Sequence, residues 1–101
     1  MDTKEFYNEA LELVKRITKI KEQEMFSSNK ECCVDARYIL VGNLSGYYTD
    51  MEISELTGIG KTTANKIRNG YRPKLRKFTF RIRYMEVEQA LQELAKSLWG
   101  G

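Results

Sequence analysis

Between Lys61 and Arg83 the chain carries nine basic residues (Lys61, Lys66, Arg68, Arg72, Lys74, Arg76, Lys77, Arg81 and Arg83) and no acid. A charge run is usually a solvated face, but this one stands apart from the rest of the chain. Residues 1–50 hold 7 Lys/Arg against 9 Asp/Glu, a net −2, and residues 51–101 hold 10 against 5, a net +5. Such an asymmetry points to a polyanion as partner, a nucleic acid or, as the alternative, an acidic protein bound by a basic protein-interaction module. Other chemistry is poorly supplied. There is no histidine, which removes the usual general base, the Ser-His pairing and the commonest metal ligand together. Cys32 and Cys33 are adjacent, so on a helix they point about 100° apart. No second cysteine pair completes a zinc site, and the two read as small apolar residues of a reducing compartment. The acids Asp35, Asp50, Glu52 and Glu55 show no metal-ligand spacing. The chain therefore reads as a binding protein without cofactor or metal, not as an enzyme.

The residues best suited to contact a nucleic acid lie in Asp50–Asn69, DMEISELTGIGKTTANKIRN. Thr49 followed by Glu52 is a capping box that starts a short helix near Asp50. Gly58 sits where a left-handed turn residue is needed, and Ile59 plugs the turn. A second helix follows, with Ala64 and Ile67 inward and the Asn69-Gly70 pair as its stop. Helical spacing then leaves Lys61, Thr62, Asn65, Lys66 and Asn69 on the outer face. These types suit base edges: Asn pairs bidentately with adenine, Lys meets guanine acceptors, and Thr meets either or a thymine methyl. Thr63, Arg68, Arg72, Lys74, Arg76, Lys77 and Arg81 are expected to grip phosphates, which position the module while the base contacts specify the site.

Over its full twenty positions this segment resembles the helix-turn-helix motif. That resemblance implies a recognition helix at 61–69 lying in the major groove of double-stranded DNA. Leu56 to Ile67 is also similar to the helix-hairpin-helix motif, whose Gly-rich turn presents backbone N–H groups to a phosphate without sequence preference. Both resemblances put phosphate at the same turn. Gly58-Ile59-Gly60-Lys61-Thr62 looks like the end of a P-loop, but Glu55 stands where that motif needs glycine and Glu52–Leu56 reads as helix, not strand. More widely, Asp35-Ala36-Arg37-Tyr38-Ile39-Leu40, Leu44, Glu52-Ile53 and Lys61-Thr62-Thr63-Ala64 resemble the Trp-repressor-like group and the C-terminal DNA-binding domain of the bacterial replication initiator. Those domains open the recognition helix with a Thr pair. The chain lacks the Arg-Asp-His that precedes that pair in the initiator. The resemblance implies a fold and DNA binding, with Thr62 and Thr63 as contacts, as in small proteins of phage and mobile elements. It does not imply replication initiation.

Positioning such a face falls to an all-α fold in one domain, 1–101. Five helices are expected, at about 3–25, 30–44, 50–57, 61–69 and 80–98. Phe6, Ala10, Leu13, Ile17 and Ile20 give the first its stripe, and Cys33, Ala36, Leu40 and Leu44 the second. Residues 78–84 alternate like a strand, but Phe80, Tyr84, Val87, Leu91, Leu94 and Leu98 keep helical spacing for longer, and one strand would have no partner. Thr79 is the expected cap. The long stripes of 3–25 and 80–98 are compatible with a homodimer, which helix-turn-helix proteins use to read two half-sites, and Trp99 would suit a contact there. No apolar run approaches the roughly 20 residues that span a bilayer, and residues 2–24 carry charges throughout, so neither membrane nor signal peptide is indicated. The expected location is the cytoplasm.

Overall fold

The computed structural model describes residues 3–99. Among the described residues the protein is all-α, with no strand: α1 (Thr3–Thr18), α2 (Glu22–Ser27), α3 (Glu31–Leu44), α4 (Asp50–Thr57), α5 (Lys61–Gly70), a 3-10 helix (Arg72–Arg76) and α6 (Phe78–Trp99). One hydrophobic core takes side chains from all six α-helices.

α3 is the rod around which the rest is laid, touching α1, α2, α5 and α6. From Ile39 to Leu44 every residue is buried, Gly42 and Asn43 included. A helix wrapped this way has no polar face to show. Asn43 escapes the penalty for a buried amide by donating to the Ile39 carbonyl at 2.9 Å and the Tyr84 carbonyl at 3.4 Å. Gly42 is a place of close approach. A Cβ there would stand 3.0 Å from the Tyr84 ring and 3.2 Å from the Tyr71 ring. Without it those rings stack at 4.9 Å, inclined by 10°, which seats the end of α5 and the middle of α6 on α3.

The expected helix 3–25 is two helices. Lys19 takes a left-handed φ of 58° and ends α1. The chain then turns back so that α2 lies on α3 and Met25 is fully buried. The stripe that α1 buries is Phe6, Tyr7, Ala10, Leu11 and Val14, while Leu13, Ile17 and Ile20 pack only partly against the core. Arg37 holds the turned-back helix, with Nε donating to the Met25 carbonyl at 2.8 Å and Nη2 to the Ser28 carbonyl at 2.7 Å. These are the carbonyls that a helix end leaves without intrahelical partners.

Two expected boundaries also move. α6 begins at Phe78, so Thr79 lies inside the helix; the Lys77 carbonyl before it accepts the Arg81 N–H. α5 runs through Gly70, whose φ is not positive, and Tyr71 stays right-handed. The chain continues into the 3-10 helix, with Pro73 in its first turn. A left-handed stop at Gly70 would redirect Tyr71, whose ring is needed against Gly42 and Tyr84. Trp99 packs on the Phe6 ring at 4.9 Å.

Candidate nucleic-acid interface

α4, the turn and α5 form a unit braced by its own polar side chains. The capping box is present in both halves: Thr49 Oγ1 accepts from Glu52 N at 3.2 Å, and Glu52 Oε1 accepts from Thr49 N at 2.9 Å. α4 closes on Gly58 at φ 83°. The turn is then stitched by hydroxyls. Ser54 donates to the Ile59 carbonyl at 2.7 Å, and Thr57 donates to the Ile53 carbonyl and accepts the Ile59 N–H. Ile59 itself is half-buried, while Ile53, Ala64 and Ile67 are buried.

α5 buries only Ala64 and Ile67. Helical spacing sets Thr62, Asn65, Lys66 and Asn69 opposite that pair, with Lys61 and Thr63 on the flanks. All six are exposed. The structure thus brings the five residues suited to base edges onto one outward surface. Gly60 is the N-cap and supplies no side-chain acceptor, so the first N–H groups of α5 point outward with the helix's positive end behind them.

Asp50 organises this face. Its Oδ2 accepts from Asn65 Nδ2 at 2.9 Å, and Asn65 Oδ1 accepts from Asn69 Nδ2 at 3.2 Å. A carboxylate can only accept, so it fixes the polarity of the chain and the orientation of both amides. Asn65 keeps one N–H and one lone pair free. Those are the two groups that adenine N7 and N6 require. The other oxygen of Asp50, Oδ1, lies 2.9 Å from Arg68 Nη2, which also donates to the Tyr48 carbonyl at 3.3 Å. Arg68 thereby neutralises the acid beside the outward face.

The nine cations of the basic run do not form one free surface. Besides Arg68, Lys74 and Lys77 are held by carboxylates of α3. Lys74 meets Asp35 at 2.9 Å, and Lys77 meets Asp35 at 2.8 Å and Glu31 at 3.1 Å. Lys74 also stands over the Tyr38 ring at 4.8 Å. Burial alone would raise the Asp35 carboxyl, but the hydrogen bonds from Lys77 and Lys74 outweigh it and hold the group below its ordinary value. Arg72 lies over the Tyr71 ring at 5.9 Å. Hydrogen bonds from Tyr84 and then from Arg72 pull the Tyr71 hydroxyl below its usual range. Lys61, Lys66, Arg72, Arg76 and Arg81 make no ion pair among the described residues and are exposed. Arg83 is half-buried and lines a groove with Cys32, Ala36 and Phe80.

Sequence reasoning missed the Asp50 chain and the Asp35 clamp. Both join residues far apart along the chain, and no local pattern carries them. No cluster of three or more His, Cys, Asp or Glu able to hold a metal occurs among the described residues, and no helix of the described residues is long and apolar enough to cross a membrane. No protein-family model, curated protein or solved structure matches the chain.

Proposed function

We propose that the protein binds double-stranded DNA sequence-specifically, with α4 and α5 acting as a helix-turn-helix and α5 as the element that enters the major groove. The carrying observation is the outward face of α5: Thr62, Asn65, Lys66 and Asn69 exposed opposite Ala64 and Ile67, with both amides oriented from Asp50. Lys61, Thr62, Asn65, Lys66 and Asn69 read bases; Thr63, Arg72, Arg76 and Arg81 take phosphates. Arg68, Lys74 and Lys77, already paired, act by positioning the unit. The biological role is that of a cytoplasmic regulator of transcription or an accessory factor of a phage or mobile element.

A second reading rests on the uncapped turn at Gly58-Ile59-Gly60. There the N–H groups at the start of α5 hold a phosphate, and binding is indifferent to sequence, as in a helix-hairpin-helix.

Duplexes selected from a random pool separate the two. On the selected duplex, Asn65→Ala and Thr62→Ala each lose about 1–3 kcal/mol, and on scrambled DNA they lose little. Arg76→Ala weakens both duplexes alike and lowers the slope of log K against log salt by about 0.9. Equal losses on both duplexes from all three variants would leave the second reading. No binding to any duplex at low salt would remove both.

A further inference from the structure

We propose that the first half of α6 is a self-association surface, which pairs with the same helix of a second copy of this chain running antiparallel. Phe78, Ile82 and Met85 are 68%, 47% and 54% exposed. Their spacing of four and three places them on one stripe of the helix. The opposite stripe, Phe80, Tyr84, Val87 and Leu91, is the one buried in the chain's own core. The monomer's packing therefore leaves the first stripe uncovered. A shallow groove follows it, lined by Ile82 and Met85 together with Glu86, Glu88, Gln89 and Gln92.

The charges around the stripe say what covers it. Its leading end carries Arg81, Lys77 there being already paired with Asp35 and Glu31, and the turns after Met85 carry Glu86 and Glu88. A parallel copy would set Arg81 of each helix against Glu86 of the other but also Glu88 against Glu93, so that each attraction is offset by a repulsion. An antiparallel copy sets the basic end of each helix against the acidic turns of the other, twice over by the twofold symmetry. Arg81 and Glu88 lie on the same flank of the stripe, as two residues must to meet across such a pair. Neither makes an ion pair among the described residues. Arg81 rests over the Phe78 ring at 5.6 Å and donates to the Leu75 carbonyl at 3.3 Å. In this register Ile82 of one copy packs on Met85 of the other, and Phe78 covers the aliphatic part of Gln89. The surface differs from the stripes that the sequence alone suggested, since those pack wholly or partly on the core.

The pairing does not rest on the nucleic-acid reading, though in the dimer Arg81 meets Glu88 in place of a phosphate, and it is measured without DNA. Sedimentation of the full chain from micromolar to millimolar concentration is expected to show a reversible dimer. Ile82→Glu and Met85→Glu each weaken it about tenfold or more, with helical circular dichroism unchanged. Arg81→Glu also weakens it, and adding Glu88→Arg to that variant restores it. A monomer throughout the range would overturn the proposal. So would a dimer indifferent to Ile82→Glu and Met85→Glu, or a double charge reversal that associates no better than Arg81→Glu alone.

Discussion

Asp50 and Asp35 are the two acids that give the basic half of the chain its order. Asp50 opens α4, where the helix dipole favours an anion, and from there it both neutralises Arg68 and aims Asn65. Asp35 collects Lys74 and Lys77 and so ties the 3-10 helix and the residue before α6 to α3. Because the folded Asp35 carboxyl titrates below its unfolded value, its contribution is fully present above the ordinary carboxylate range and is lost as pH falls through the lower folded value. Asp35→Asn is therefore expected to lower stability at neutral pH, and its difference from the natural chain should vanish in strong acid. Urea titrations at a series of pH values check this. A difference that stayed constant into acid would show that the two lysines are not the source. The same variant frees Lys74 and leaves Lys77 with Glu31 alone, and is expected to tighten binding to any polyanion.

Among the elements, two backbone positions of the described residues carry left-handed φ values, and they call for opposite changes. Gly58 at φ 83° has nothing within 4 Å of the place a Cβ would take, so a side chain there meets only backbone strain. Gly58→Ala is expected to lose about 1–2 kcal/mol. Lys19 holds φ 58° with a Cβ in place, and Lys19→Gly is expected to gain up to about 1 kcal/mol. Thermal unfolding of the two variants reads both signs. Gly58 was legible in the sequence because a capping box before it and an apolar residue after it mark a turn. Lys19 was not: apolar spacing continues through Ile17 and Ile20, and only the burial of Met25 on α3 shows why the helix must break. α3 was legible as a helix but not as the central rod, because its stripe of Cys33, Ala36, Leu40 and Leu44 hid the burial of Val41, Gly42 and Asn43 around it. For the candidate interface, the spacing of Ala64 and Ile67 sufficed to place the outward residues of α5. The pairing of Arg68, Lys74 and Lys77 needed contacts across 18, 39 and 42–46 positions, which no periodicity encodes.

For the whole molecule, the division of charge between the two halves of the chain has a structural use. Acids of the first half, Glu31, Asp35 and Asp50, pair with three cations of the basic run. The cations left exposed and without an ion pair among the described residues include Lys61 and Lys66 on α5. Arg72, Arg76 and Arg81 are the others of the basic run, outside α5, which is itself a braced helix whose inward side is two apolar residues and whose outward side is amides, a hydroxyl and ammonium groups. Whether that helix is the binding element is decided by amide NMR of the isotope-labelled chain titrated with a selected DNA duplex. The largest shifts are expected on the backbone N–H groups of Lys61, Thr62 and Thr63 and on the side-chain amides of Asn65 and Asn69. Shifts confined to α1 or α6, or a spectrum unchanged by saturating duplex, would contradict the role assigned to α5.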